Sequence, residues 1–116
     1  MAKEKLPNQP LTPAVYHILL ALFDGEKHGY AIMKDVEHQT GGRVKMGPGT
    51  LYGSIKRMLD ANLIEEAARR PDPDLDDERR RYYRLSGLGR RVVSAESQRL
   101  TQAVKVARQK HVIVCS

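Results

Sequence analysis

Residues 46–59 (MGPGTLYGSIKRML) constrain this chain most, because their spacing suits one structure and their chemistry one kind of surface. Pro48 stands where a helix can begin, since its missing N–H costs nothing in a first turn. Leu51, Ile55, Met58 and Leu59 fall at i, i+4, i+7 and i+8, one apolar face, with Thr50, Gly53, Ser54 and Arg57 opposite. From Arg43 to Arg57 the charged residues are Arg43, Lys45, Lys56 and Arg57, and none is acidic. The outward face so drawn is small, hydroxylated and cationic. Such a helix can lie close to a phosphate backbone, with its N-terminal amides and first-turn side chains toward base edges. The pattern alone also suits an ordinary amphipathic helix with a solvated polar face, so the flanking sequence must decide.

Upstream, residues 1–11 (MAKEKLPNQPL) mix charge with two prolines, lack periodicity, and read as a flexible arm. Thr12-Pro13 then gives an N-cap hydroxyl followed by proline at the first helical position. A first helix runs through Val15, Ile18, Leu19, Leu22 and Phe23 to about Asp24-Gly25. A second follows Gly29, with Ile32, Met33 and Val36 inward, and ends at Thr40-Gly41-Gly42, where glycine accepts the left-handed conformation of a helix C-terminus. The opening stretch is the third helix, stopped near Asn62. Helices joined by short glycine-containing turns form the frame of a helix-turn-helix, the second and third being the paired elements.

Downstream, residues 63–67 begin an extended segment, and residues 79–85 (RRRYYRL) alternate with Tyr83 and Leu85 on one side and Arg80, Tyr82 and Arg84 on the other. Between them, Pro71 and Pro73 among Asp72, Asp74, Asp76, Asp77 and Glu78 exclude an interior strand. The result is a β-hairpin wing with an acidic tip. Ser86 can cap a last helix over 87–110. Along it Val93, Ser97, Leu100, Val104, Ala107 and His111 recur at alternating spacings of four and three, close to a coiled-coil seam. This helix is expected to pair with its copy in a second subunit through Val93, Leu100, Val104 and Ala107; the competing possibility is that it packs back across the first helix of its own chain. Residues 111–116 form an apolar tail with no assigned place.

The predicted fold is therefore mainly α with a small β-hairpin: an arm (1–11), a winged helix-turn-helix domain (12–86), a dimerisation helix (87–110) and a tail (111–116). At 116 residues the chain makes about one domain. Its net charge of +6 and pI near 9.7 favour a polyanionic partner. The single cysteine, Cys115, excludes an internal disulfide and a multi-cysteine zinc site, and suits a reducing cytoplasm. No secretory segment is visible, and the apolar run 14–23 is too short to span a bilayer.

Several chemistries drop out. Asp72-x-Asp74-x-Asp76 opens like a calcium loop, but its sixth position is Asp77 rather than glycine and its twelfth is Tyr83 rather than glutamate. Residues 47–54 are glycine-rich without the Gly-Lys-Ser/Thr ending of a phosphate-binding loop. His17, His28, His38 and His111 show no metal-ligand spacing, so neither metal nor cofactor is expected. No nucleophile and base pairing is suggested, and no enzyme is expected.

His28-Gly29-Tyr30, Gly49-Thr50-Leu51-Tyr52, Leu63-Ile64, and Arg81-Tyr82-Tyr83-Arg84-Leu85-Ser86 with Gly89-Arg90, in this order and spacing, resemble the PadR family of bacterial winged helix-turn-helix regulators. The resemblance covers roughly residues 14–93. It implies a homodimeric repressor whose third helix enters the major groove of a palindromic operator, and in many members a small molecule, often a phenolic acid or planar cation, releases the DNA. Gly49, Thr50 and Tyr52 match the family's recognition-helix start, and residues 81–85 its second wing strand. The departure is the acidic tip, where many members are basic. Carboxylates there would oppose phosphates, which shifts the backbone role to the arginines of the wing strands.

The expected DNA-contacting set is Lys45, Pro48, Gly49, Thr50, Tyr52, Ser54, Lys56, Arg57, Arg80 and Arg81. The expected partners are double-stranded DNA, a second copy of the chain, and an effector in a pocket between the C-terminal and first helices at the dimer interface. The alternative is a winged-helix module that binds a protein, its basic charge aiding only solubility.

Overall fold

The computed structural model describes residues 11–67 and 81–113. The arm 1–10, the acidic tip with Arg69, Arg70, Arg79 and Arg80, and Cys115 lie outside the described residues. The elements in order are α1 (Pro13–Ala21), β1 (Lys27–His28), α2 (Gly29–Gln39), α3 (Pro48–Asp60), β2 (Ile64–Glu66), β3 (Tyr82–Leu85) and α4 (Gly87–Gln109). Among the described residues no helix is long and apolar enough to cross a membrane.

Helix boundaries follow local chemistry. The Thr12 hydroxyl accepts from the Val15 amide at 3.2 Å with Pro13 at the first helical position, and the Ser86 hydroxyl accepts from the Gly89 amide at 2.9 Å. At the end of α2, Gly41 and Gly42 take φ values of 60° and 83°, and the Gly42 amide reaches back to the Glu37 carbonyl at 2.8 Å. Asn62 at φ 63° stops α3, with the Leu63 amide donating to the Met58 carbonyl at 2.9 Å.

The core is the meeting of α1, α2 and α3, closed by the sheet and by the first half of α4. Ile18, Leu19 and Leu22 bury against Ile32 and Val36 of α2 and Leu51, Ile55 and Met58 of α3. Ile64, Tyr83 and Leu85 cover them from the sheet, and Val92 and Val93 from α4. Lys27 ties α1 to α2. Its ammonium donates to the Ala21 carbonyl and the Asp24 carboxylate, both at 2.6 Å, and lies 3.3 Å from the Asp35 carboxylate. Burial alone would lower the Lys27 pKa, but those two carboxylates outweigh it and raise the group above its ordinary value.

The sheet has three strands in the order β1-β3-β2, all antiparallel. The hairpin expected from sequence is present as β2 and β3, with Ile64 opposite Leu85 and Glu65 opposite Arg84. The two-residue β1 was not expected; it pairs Lys27 with Tyr83 and His28 with Tyr82. Two residues are too few to show a period, so only the pairing reveals the strand.

α4 divides at about its midpoint, which corrects the reading of one continuous seam. Val93 is 2% exposed and sits in the core of its own chain. The Ser97 hydroxyl donates to the Val93 carbonyl at 2.8 Å and meets the Tyr16 hydroxyl of α1 at 2.7 Å. Glu96 is buried in the same half and bound by Arg99 at 3.0 and 2.6 Å. Beyond it Leu100 and Val104 stand 37% and 40% exposed, with Ala107 half-buried. The packing on α1 that competed with dimerisation thus holds for the first half of the helix.

Candidate nucleic-acid interface

The turn before α3 is stapled by Thr40. Its hydroxyl donates to the Val36 carbonyl at 2.9 Å and accepts from the Val44 amide at 3.0 Å, fixing where the chain leaves α2. α3 then starts with Gly47 as an N-cap that makes no side-chain bond, Pro48 in its first turn and no acidic residue there. Only at Leu51 does an amide find a backbone partner, the Gly47 carbonyl at 3.0 Å. The Gly49 and Thr50 amides therefore lie in the part of a helix that carries partial positive charge and lacks intrahelical acceptors. Gly47, Pro48, Gly49 and Thr50 are all exposed.

At about 100° per residue, the outward arc of α3 contains the exposed Gly49, Thr50, Lys56 and Arg57 and the half-buried Gly53, with Asp60 at its far end. Two glycines among these positions leave room for close approach of another surface. Ser54 departs from expectation: it is 2% exposed, in the buried stripe between Leu51 and Met58. The signal was available, because Ser54 is three residues after Leu51 and four before Met58; its hydroxyl chemistry masked its position. From there its oxygen accepts from the Arg57 guanidinium at 3.2 Å. Ser54 positions a cation and does not itself face outward.

Tyr52 is half-buried, packed on the core, and its hydroxyl lies against Gly29 at the start of α2, where any Cβ would overlap it. This gives the His28-Gly29-Tyr30 motif a physical sense. His28 caps α2 by accepting the Ala31 amide at Nδ1, 3.2 Å away, and sets its ring edge-on to Tyr82 at 5.4 Å. Gly29 lets Tyr52 close on the helix end. Tyr30, absent from the expected set, is 56% exposed with the Lys34 ammonium 5.6 Å from its ring centre. The one turn between Tyr30 and Lys34 was the sequence signal for this outward pair.

Three further cations have an anion beside them among the described residues. Lys45 lies 3.8 Å from the Glu37 carboxylate of α2. Arg84 and Glu65, directly opposite across β2 and β3, meet at 3.1 Å, and Arg81 lies 3.5 Å from Glu66. Arg80 is outside the described residues. Away from these elements, Phe23, Arg90, Arg91, Ser94, Ala95 and Gln98 line an open groove of about 360 Å³ between the end of α1 and the outer face of α4. The Arg90 guanidinium stands 5.1 Å over the Phe23 ring.

The model of the PadR-like family of transcriptional regulators matches residues 18–95, most of this chain. The chain belongs to that family. Among solved structures, this PadR-like chain is similar to a PadR family transcription regulator from hypervirulent Clostridium difficile R20291, with a TM-score of 0.68 and 25% identity over 84% of this chain and 97% of that one. It is also similar in fold to Bacillus subtilis PadR solved in complex with operator DNA, with a TM-score of 0.61 and 21% identity over 75% of this chain and 46% of that one. A curated relative, an uncharacterized 37.1 kDa protein in transposon TN4556 of Streptomyces fradiae, is 34% identical over 85 residues. The match takes in 73% of this chain but spans only 22% of that relative. The family and the structural neighbours bear out the predicted fold class: four helices with a small antiparallel sheet in a winged-helix arrangement.

Proposed function

We propose that this PadR-like chain is a sequence-specific DNA-binding repressor that acts as a homodimer on a palindromic operator, with α3 in the major groove. The observation that carries the reading is the outer face of α3. It offers an uncapped N-terminus, glycines at 49 and 53, the Thr50 hydroxyl, and Lys56 and Arg57 with no carboxylate within ion-pair distance among the described residues. Amides and hydroxyls at the helix start can reach base edges or phosphates, and the two cations farther along hold the backbone. Tyr30 and Lys34, at the start of α2, are placed to add a backbone contact. The operator complex of the B. subtilis neighbour supports this choice of partner.

Dimerisation belongs to the second half of α4. Leu100 and Val104 are apolar, exposed and one turn apart, and Ala107 continues the stripe. The domain division follows: residues 12–86 together with the first half of α4 form the reading unit, and the rest of α4 joins two units. Substituting Leu100 and Val104 by Asp should convert a dimer to a monomer in sedimentation equilibrium while leaving the helical circular dichroism near the parent's. The groove beside Phe23 and Arg90 lies between the first and last helices, where an effector that loosens the DNA complex is expected.

Selection of bound duplexes from a random library tests the whole reading. The expected product is a palindrome with half-sites about one helical turn, roughly 34 Å, apart. Affinity for it should fall steeply between about 50 and 200 mM salt. Recovery of no shared sequence, with equal affinity for random duplexes, would sink the specific-regulator reading and favour a protein-binding module instead.

A further inference from the structure

Three of the cations near α3 already have an anion among the described residues. Lys45 precedes α3 and lies 3.8 Å from Glu37; Arg84 and Arg81 belong to the wing and lie 3.1 and 3.5 Å from Glu65 and Glu66. None of the three glutamates is buried, and all six side chains are between 47% and 71% exposed, so each pair is open to exchange with another anion. The two wing pairs have a fixed basis in the fold. Antiparallel register sets Glu65 opposite Arg84, and it sets Glu66 opposite Tyr83, two residues along from Arg81. A phosphate approaching Arg84 or Arg81 therefore has to displace a carboxylate that the sheet holds in place. Among the described residues, no carboxylate lies within ion-pair distance of Lys56 or Arg57.

We propose that Glu37, Glu65 and Glu66 act as resident competitors of DNA phosphate, holding Lys45, Arg84 and Arg81 so that these cations add little affinity for arbitrary duplexes and discrimination rests on α3. This rests on the DNA-binding reading above and deepens it. Backbone contacts strengthen binding to every sequence alike, whereas base-edge contacts strengthen binding to one. A carboxylate that weakens backbone contacts uniformly lowers binding to random DNA. At the operator, the α3 contacts fix the register and bring phosphates to defined positions beside these pairs, where exchange is more complete. The glutamates are thus specificity-determining residues that touch no base.

The experiment uses the full chain, the duplex recovered by selection and a scrambled duplex of equal length, with fluorescence anisotropy at several salt concentrations. Glu65→Gln, Glu66→Gln and Glu37→Gln replace exposed side chains by near-isosteres, and circular dichroism checks that the fold is kept. Each should raise affinity for the scrambled duplex about two- to fivefold, the range set by loss of one exposed ion pair, and raise operator affinity less. The triple variant should show a steeper salt dependence on scrambled DNA, by about 0.9 in log–log slope for each cation that gains a phosphate. In an Arg84→Gln background the effect of Glu65→Gln should vanish, because there is no cation left to release. Persistence of the full effect in that background would mean that net charge alone is at work, and it overturns the proposal. So does unchanged affinity for scrambled DNA while the parent chain binds its operator. A parent chain that binds no duplex removes the DNA-binding reading itself, and this inference falls with it.

Discussion

α3 and the wing are both cationic in sequence, yet the structure equips them differently. On α3, Lys56 is exposed and Arg57 is steadied by the neutral Ser54 oxygen at 3.2 Å. On the wing, Arg84 and Arg81 face carboxylates across the strands. A hydroxyl orients a guanidinium without neutralising it; a carboxylate does both. Counting arginines therefore overstates what the wing can give a polyanion, and the number of charges matters less than the company each keeps.

The largest expected effect comes from reversing charge on α3, where neither cation has a carboxylate beside it among the described residues. Lys56→Glu with Arg57→Glu should lower operator affinity by more than about a hundredfold, since a repulsive pair replaces two phosphate contacts. Sedimentation should still show the parent's oligomeric state; loss of both properties together would mean that α3 holds the assembly rather than the DNA. Next is Gly29→Ala, which forces the Tyr52 hydroxyl away from the start of α2. Overpacking of this kind typically costs about 1–3 kcal/mol of stability, readable in urea unfolding, and should tilt α3 enough to weaken operator binding about tenfold. A fully stable Gly29→Ala chain with parental affinity would show that the Tyr52 contact does not set the angle of α3.

Ser54→Ala is smaller and sharper. It removes the neutral anchor of Arg57 while keeping the buried volume nearly constant, so affinity should drop about twofold and base preference in the selected sequence should stay the same. A changed preference would place Ser54 among the base-reading groups after all.

The least effect on DNA binding is expected from Glu96, which lies away from both regions. The hydrogen bonds from Arg99 hold its carboxyl below the ordinary glutamate value of 4.5, against burial, which pushes the other way. A carboxyl with a depressed folded-state pKa contributes stability that is present above 4.5 and lost as pH falls through the depressed value. Melting temperature should be level near neutrality and decline below about pH 4.5, and Glu96→Gln should flatten part of that decline. Operator affinity at pH 7 should differ little between the two chains.

Much of this was legible beforehand because it is written in short-range signals. Thr12-Pro13, Gly41-Gly42, Pro48, Asn62 and Ser86 each fix a helix end by capping chemistry that a few residues contain. The alternation of Tyr83 and Leu85 gave the inner face of β3. What could not be read depended on distant partners. β1 exists only because His28 and Lys27 meet β3 more than fifty residues later. Val93 satisfies both a seam and a core pattern, and only the position of α1 decides between them. Ser54 has the hydroxyl of an outward residue but the helical position of the buried stripe, and position prevails. The pairing of Arg81 and Arg84 with Glu66 and Glu65 required the register of two strands, which period alone leaves open.

β3 pairs on one edge with the residues that lead into α2 and on the other with those that leave α3. One late strand therefore clasps both ends of the helix pair. As the chain is synthesised, α2 and α3 emerge before the segment that fixes their mutual angle, so a nascent chain ending before Tyr82 holds α3 without the frame that aims it. The setting of the helix pair is completed from downstream, and a cut or insertion at the wing strand should act on both helices together rather than on the wing alone.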